Sequence, residues 1–329
     1  MKFDRRSALF AGLAAPLAAK AQTAPPKSDK PLPAGLTDPT ETIDLWPKGV
    51  PGKPATLPVE KVVERSTDGA LADRAVSGIV NPRMAVFRPR IANGASVLIT
   101  PGGGYVRIVL DHEGYVLARW LAAQGFTAYV LFYRLPGDGW AAGADVALSD
   151  AQRAMRLIRA RAIRDGLDAE RVATIGFSAG GHLCADLATR HAAKTYDPID
   201  EADKLSARPF LAAPIYPVIS MTAPDAHMGS RKQLIGENAS PALEAAHSPH
   251  LNVTKATPPC FLVHSEDDAT VPVENSLLLR AALKAAGVPV ETHLFTQGGH
   301  GFGMTRAVGK PAGVWPELFL TWARSQGLG

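Results

Sequence analysis

After residue 40, short continuous apolar runs alternate with longer amphipathic stretches, a pattern typical of buried parallel strands separated by helices. The run Ser96–Thr100 has three consecutive apolar residues at its centre, whereas apolar residues recur at helical spacing in Asp145–Arg164. The pattern predicts an α/β fold with a mostly parallel central sheet and helices on both faces. The predicted strands are Lys61–Arg65 and Met84–Arg88 (antiparallel), then Ser96–Thr100, Phe126–Tyr133, Arg171–Ile175, Phe210–Tyr216, Cys260–His264 and Val290–Phe295. The predicted helices are Gly114–Gln124, Asp145–Arg164, Gly181–Ala188, Asn275–Ala286 and Trp315–Ser325, with an irregular insertion over Met221–Thr257 that forms a small cap.

The first 42 residues differ in character from the rest of the chain. Arg5 and Arg6 precede a mildly apolar, alanine-rich stretch, and Ala19-Lys20-Ala21 fits an A-x-A cleavage site. The sequence therefore predicts a removable export signal over residues 1–21, and a periplasmic or secreted protein. The arginine pair favours twin-arginine export, with an ordinary Sec signal as the alternative. A proline-rich linker, residues 22–42, and one large domain, residues 43–329, are predicted to follow.

Composition and charge narrow the classes of partner. The chain is 46% hydrophobic and 20% charged, an ordinary globular composition. Without residues 1–21 it holds 31 basic and 30 acidic side chains, so its formal net charge falls from +4 to +1. Neither nucleic acid nor stable membrane insertion is predicted, and the oligomeric state is open. Cys184 and Cys260 lie in apolar stretches and are predicted to be buried free thiols, with a disulfide as the alternative in an oxidising compartment.

The pentapeptide Gly176-Phe177-Ser178-Ala179-Gly180 has the G-x-S-x-G pattern of a nucleophile elbow. It follows the predicted strand Arg171–Ile175 and precedes the predicted helix Gly181–Ala188, which is the setting that this motif requires. The two glycines allow the strand and the helix to approach closely while the turn presents the serine oxygen. Ser178 is therefore the candidate nucleophile.

A serine hydroxyl needs a base and a carboxylate that orients it. His300 lies in a glycine-rich loop after the last predicted strand, and it is the candidate base. Asp268 follows the predicted strand Cys260–His264 and is the candidate acid; Asp267 and Glu266 are the alternatives. The order Ser, Asp, His along the chain is that of α/β-hydrolases.

Backbone amides near the serine complete the candidate site. Gly103 and Gly104, after the strand Ser96–Thr100, and Ala179, after the nucleophile, are the predicted oxyanion donors. Tyr105, Tyr216 and Val218 are predicted to contact the substrate. No metal ligand set is predicted, because His247 and His250 lack a third ligand at metal spacing.

Three other polar groups have structural interpretations. His182 is predicted to pack or hydrogen-bond locally, one helical turn after Ser178. Residues 111–113, Asp-His-Glu, are predicted to form an acidic cap of the following helix, with a place at the site entrance as the alternative. Asp150 is predicted to hold the corner at residues 133–135 in place.

Taken together, these motifs resemble those of secreted α/β-hydrolase esterases related to acetylxylan esterases, within the esterase/lipase superfamily. The resemblance covers residues 43–325, and Pro101 stands where hormone-sensitive-lipase-like relatives begin their oxyanion loop with histidine, which favours the carbohydrate-esterase branch. The segments that carry it are 45–52, 101–105, 150–154, 176–182, 215–220, 264–272 and 298–303.

The resemblance implies an α/β-hydrolase fold and a serine carboxylesterase that needs no cofactor. Its expected substrates are short-chain acyl esters, above all acetyl groups on xylan-type carbohydrates, cleaved through an acyl-enzyme on Ser178 with His300 as base and Asp268 as its partner. The alternatives are a general short-chain esterase or lipase, a serine peptidase of the prolyl-oligopeptidase type, and an inactive hydrolase-fold binding protein.

Overall fold

The computed structural model describes residues 39–67 and 72–329. The predicted export signal, residues 1–21, and residues 22–38 of the predicted linker lie outside the described residues. The first strand begins at Glu41, so the last residues of the predicted linker belong to the folded domain.

An eight-stranded sheet forms the centre of the molecule, in the order β1-β4-β7-β5-β8-β9-β10-β11. The strands from β7 to β11 along this order run parallel, whereas β1 and β4 at the other edge are antiparallel to their neighbours. A separate three-stranded antiparallel sheet has the order β2-β3-β6. The strand bounds are β1 Glu41–Asp44, β2 Lys61–Glu64, β3 Arg74–Ser77, β4 Arg83–Phe87, β5 Ser96–Thr100, β6 Ile108–Val109, β7 Thr127–Phe132, β8 Val172–Phe177, β9 Ala212–Ile215, β10 Cys260–Ser265 and β11 Val290–Phe295.

The middle strands are buried on both faces, as their unbroken apolar runs require. Every residue of β5, β7 and β8 is buried. Helices cover the sheet, and their bounds are α1 Val116–Ala123, α2 Val146–Asp165, α3 Ser178–Arg190, α4 Met228–Ile235, α5 Pro241–Ala246, α6 Glu274–Ala285 and α7 Trp315–Ser325. The predicted mostly parallel sheet with covering helices is confirmed.

Two segments differ from the sequence-based expectation. The stretch predicted as an irregular insertion, Met221–Thr257, contains the short helices α4 and α5. Asp111–Tyr115 forms a π-helical turn before α1 in which residues 111–113 are buried, whereas the sequence predicted that they cap the following helix.

The corner after β7 is held by a buried ion pair. Asp150, on α2, accepts hydrogen bonds from the backbone and the guanidinium of Arg134 at 2.8–3.2 Å, and from Trp46 Nε1 at 2.7 Å. Asp150 and Arg134 are both almost completely buried. The predicted role of Asp150 is confirmed, and its contact with Trp46 also fastens the N-terminal segment to α2.

Candidate active site

Ser178 lies at the junction of β8 and α3, in a left-handed backbone conformation with φ of +52°. Such a conformation is strained for a serine and persists only where the surroundings impose it. A Cβ on Gly176 would lie 2.2 Å from the carbonyl oxygen of Gly180, and one on Gly180 would lie 2.1 Å from that of Thr100. The two glycines therefore allow the close contact of strand and helix that forms the turn.

A chain of two hydrogen bonds joins the predicted triad. Ser178 Oγ lies 2.9 Å from His300 Nε2, and His300 Nδ1 lies 2.7 Å from Asp268 Oδ2. A base at this distance can take the serine proton, and a carboxylate on the other ring nitrogen fixes the tautomer that leaves Nε2 free to accept it. Ser178 and His300, which are 122 positions apart in sequence, thus meet with Asp268 in the order that proton transfer needs.

Asp268 is the carboxylate in contact with the base. Its Oδ1 accepts the amides of Thr270 and Val271, both at 2.9 Å, and its Oδ2 lies 3.3 Å from His264 Nε2 as well as near His300. Burial raises the pKa of Asp268, but the hydrogen bonds from His264 and His300 outweigh burial and hold that pKa well below its usual value. The group therefore stays ionised and can stabilise an imidazolium.

Asp267 occupies a different position. Its Oδ1 accepts the backbone amides of Gly298 and Gly299 at 2.9 and 2.7 Å. Asp267 thereby holds the turn that leads into His300, whereas Asp268 makes the contact with the imidazole of His300.

Two of the predicted oxyanion donors line the cavity that contains Ser178, and the third follows Ser178 in the chain. Gly103 and Gly104 have φ of +132° and +66° and line the same cavity as Ser178 and His300. Among the described residues, neither of their amides has a hydrogen-bond acceptor, so both are available to a bound oxygen. Ala179 is buried in the first turn of α3, where backbone amides have no intrahelical acceptor.

Glu113 was predicted to be part of an acidic cap, with a place at the site entrance as the alternative, and the structure places it at the cavity, against the oxyanion loop. Its Oε2 accepts the amide of Gly102 at 2.8 Å, and its Oε1 accepts Tyr216 Oη–H at 2.9 Å. Tyr216 Oη in turn accepts the amide of Gly303, near His300. Burial, and then the Glu113 carboxylate, raise the pKa of Tyr216 well above its usual value, so the phenol keeps its proton and donates it.

The three predicted substrate contacts lie behind the cavity wall. Tyr105, Tyr216 and Val218 are at most 1% exposed, and none of them lines the cavity. Tyr105 donates to His182 Nδ1 at 2.7 Å, the Tyr216 ring packs at 5.2 Å from the His300 ring, and the amide of Val218 donates to the Ser178 carbonyl. In this structure they support the residues that line the site rather than facing a ligand, because their side chains are used within the core.

The cavity itself has a volume of about 570 Å³ and opens between the glycine loop and the cap. Its wall on the cap side comes from the segment around α4, including His227, Lys232 and Gln233. His227 Nδ1 accepts the amide of Ser230 at 3.2 Å, as a cap of α4, so in the neutral ring the hydrogen is on Nε2. Burial, and then the nearby His300, lower the pKa of His227, which favours that neutral form.

The sequence did not identify His227 as a site residue, and it gave Glu113 a place at the site entrance only as the alternative to an acidic cap. Both belong to segments whose local pattern carries no catalytic motif, and only the folded chain brings them to Ser178.

Across residues 39–67 and 72–329, His, Cys, Asp and Glu side chains form no group that could hold a metal ion. The helices in the same ranges lack the combination of length and apolar character needed to cross a membrane. Cys184 and Cys260 are free and buried, as predicted.

Comparison with known proteins adds the relatives of this chain. A family model described as BD-FAE matches residues 86–283. The chain is 31% identical over 226 residues to an acetylxylan esterase of Xylanibacter ruminicola, covering 67% of this chain and 44% of that protein. It is 35% identical over 205 residues to endo-1,4-beta-xylanase B of Butyrivibrio fibrisolvens, covering 62% of this chain and 32% of that protein. The chain thus spans less than half the length of these two relatives.

Solved structures match over more of the molecule. An acetyl ester-xyloside bifunctional hydrolase from Caldicellulosiruptor lactoaceticus aligns with a TM-score of 0.67 and 33% identity, over 84% of this chain and 99% of that one. The carboxylesterase Cest-2923 from Lactobacillus plantarum aligns with a TM-score of 0.62 and 23% identity, over 83% of this chain and 98% of that one. The fold is that of the α/β-hydrolases.

Proposed function

The chain belongs to the BD-FAE family, and on that premise we propose that it is a serine carboxylesterase that removes acetyl and other short acyl groups from xylan-type carbohydrates. The observation that carries the proposal is the hydrogen-bonded chain Ser178–His300–Asp268 beside two unpaired glycine amides. A metal or an organic cofactor has no step in this mechanism.

The geometry supports acyl transfer in two halves. His300 Nε2 takes the Ser178 proton as Oγ attacks the ester carbonyl, and the ionised Asp268 stabilises the imidazolium that forms. The amides of Gly103, Gly104 and Ala179 receive the developing oxyanion, each contributing about 3 kcal/mol to transition-state stabilisation. His300 then protonates the leaving alcohol, and a water molecule activated by the same base releases the acyl group from Ser178.

Two observations support an acetylated carbohydrate as the substrate. The relatives described above include an acetylxylan esterase, a xylanase and an acetyl ester-xyloside hydrolase. The cavity wall is polar on the cap side, where the N–H of His227 and the side chain of Gln233 can bind sugar hydroxyl groups. A long acyl chain would need an apolar channel instead.

Labelling and hydrolysis test the proposal together. We expect a fluorophosphonate probe to label the purified protein and the Ser206→Ala variant, which changes an exposed serine outside the cavity, but not Ser178→Ala. We also expect acetate release from acetylated xylan, and faster hydrolysis of p-nitrophenyl acetate than of the octanoate. Labelling that persists in Ser178→Ala would exclude Ser178 as the nucleophile. A preference for octanoate without release from xylan would exclude the carbohydrate substrate.

A further inference from the structure

Positive charge is concentrated at the cavity mouth. Of the described residues that line the cavity, four are cationic, and Glu113 is the single carboxylate among them. Glu113 is buried and its oxygens are engaged by Gly102 and Tyr216, so it does not balance these charges at the surface. The chain without residues 1–21 is close to neutral, so this excess is local. The four cationic residues are Arg65, Arg107, Lys232 and Arg306.

Three of these cations already have carboxylate partners. Arg65 and Arg306 share Asp73, at 2.5 and 2.7 Å, and Lys232 lies 2.5 Å from Glu237. Arg107 is exposed and makes no ion pair or hydrogen bond through its side chain with any described residue. Its guanidinium is therefore available to a ligand.

Arg107 lies beside the reacting centre. A Cβ on Gly103 would lie 2.3 Å from the carbonyl oxygen of Arg107 and 2.9 Å from its Cγ, so the arginine packs directly against a proposed oxyanion donor. The residue also precedes β6, whose pairing with β3 fixes its backbone. An anionic group bound by Arg107 would thus be close to the scissile ester.

We propose that Arg107, aided by the positive charge that Arg65 and Arg306 retain over their shared Asp73, forms a carboxylate-binding subsite for the alcohol part of the ester. The inference rests on the proposed function: an acetyl group has no place for a charge, so the carboxylate belongs to the alcohol. The planar guanidinium matches a carboxylate in two parallel hydrogen bonds. The favoured substrates are acetylated carbohydrates that carry a uronic acid close to the acetylated sugar.

Two small esters that differ in the charge of the leaving group measure the effect of a carboxylate on hydrolysis. The protein would be assayed with 4-acetoxybenzoate and 4-acetoxybenzamide, whose leaving groups have similar size and differ in charge, each rate being divided by that of hydroxide-catalysed hydrolysis. We expect a kcat/KM about three- to tenfold higher for the carboxylate, as for a partly exposed charge-assisted contact. Because the pairing is solvent-accessible, the preference should decrease as NaCl is added.

Variants assign the preference to one residue. In Arg107→Gln the corrected ratio of the two esters should fall to about 1, and Arg107→Lys should keep part of it because the charge remains. Arg280→Gln is the matched control, since Arg280 is exposed on α6, away from the cavity lining. A wild-type ratio near 1, a ratio that salt does not change, or a preference that survives Arg107→Gln would overturn the subsite.

Two further arms separate the remaining explanations. If Arg107→Gln instead removes a preference for mono-4-nitrophenyl succinate over 4-nitrophenyl butyrate, Arg107 binds a carboxylate on the acyl part of the ester and the proposal is wrong. Acetylated xylo-oligosaccharides with a uronic acid should be deacetylated faster than those without one. Equal hydrolysis of all neutral and charged acetates leaves the esterase function intact and rejects the subsite. Hydrolysis of none of them rejects the proposed function itself.

Discussion

At the scale of single residues, the buried carboxylate of Glu113 connects three loops that meet at the cavity. It accepts hydrogen bonds from the amide of Gly102 in the oxyanion loop and from the hydroxyl of Tyr216 in the loop after β9. The Tyr216 hydroxyl in turn accepts a hydrogen bond from the amide of Gly303, in the loop that carries His300. A Cβ on Gly102 would lie 2.7 Å from the Glu113 carboxylate, so the glycine is needed for this contact. Glu113 is therefore placed to position both the proposed oxyanion donors and the proposed base.

Replacing this carboxylate by an amide should reduce turnover more than binding. In Glu113→Gln the amide NH₂ would face either Gly102 N–H or the Tyr216 hydroxyl, and one donor would lose its acceptor. We expect kcat to fall by about 10- to 100-fold with little change in KM, because a displaced oxyanion loop weakens contacts made in the transition state. Steady-state kinetics with p-nitrophenyl acetate measure the split.

A neighbouring carboxylate provides the control for Glu113→Gln. Asp111 lies on the same π-helical turn, but its carboxylate binds Arg74 at 2.7 Å rather than the glycine loop. Asp111→Asn should lower the midpoint of urea unfolding while kcat stays near that of the wild type. Equal losses of kcat in the two variants would show that the turn matters only as a structural support.

The sequence identifies the proposed reacting residues better than the residues that position them. Ser178, Asp268 and His300 each follow a predicted strand, and a motif or a chain order marks them. Glu113 and His227 carry no such signal: one lies in a π-helical turn, the other caps a short helix, and both acquire a site through tertiary contact. Tyr105 and Tyr216 show the opposite case. Their positions next to the motifs predicted substrate contacts, but both side chains are buried and support the residues that line the cavity.

At the scale of elements, the site depends on the parallel pairing of β10 with β11. The register aligns Ser265 with Phe295, so the loops that follow these two strands begin side by side. The first loop supplies Asp267 and Asp268, and the second supplies Gly298, Gly299 and His300. Adjacent carboxylates thus hold two different parts of the neighbouring loop.

The two aspartates should respond differently to the same substitution. Asp268 receives backbone amides on one oxygen and two imidazoles on the other, so Asp268→Asn places an NH₂ group against N–H donors and disturbs the tautomer of His300. We expect kcat to fall by about 10³- to 10⁴-fold. Asp267→Asn keeps the oxygen that accepts Gly298 and Gly299, and kcat should change only a few-fold. If Asp267→Asn instead caused the larger loss, Asp267 would be the triad acid.

The sequence predicts best the strands that lie between turn residues. Ser96–Thr100, which is buried throughout, and Val290–Phe295, which is partly exposed, are found with the predicted bounds, because glycine and proline residues lie close to the ends of each run. β1, β3 and β6 were not predicted, since each has at most four residues and is stabilised by pairing rather than by its own pattern. The same reason applies to α4 and α5, which are short and depend on capping by His227 and Ser240.

At the scale of the whole molecule, one buried histidine joins the oxyanion loop, the elbow helix and the cap. His182, on α3, accepts Tyr105 Oη–H on Nδ1 at 2.7 Å and donates from Nε2 to the carbonyl of His247 at 2.7 Å. The carbonyl can only accept, so the neutral ring with hydrogen on Nε2 is the form that fits both partners. Burial lowers the pKa of His182 to about 4, with a smaller contribution from Arg190.

This histidine should make global stability depend on pH. Its pKa is about 6.5 in the unfolded chain, so between pH 6.5 and 4 the unfolded state binds a proton that the folded state refuses, and stability falls as pH falls. His182 contributes about 3 kcal/mol to the loss across this window, and this contribution should be absent in His182→Gln, which cannot titrate. Tyr105→Phe is the control, because it removes the hydrogen bond at Nδ1 but keeps the imidazole and hence most of the slope. Urea unfolding at several pH values would measure the slopes, and parallel curves for wild type and His182→Gln would contradict the assignment.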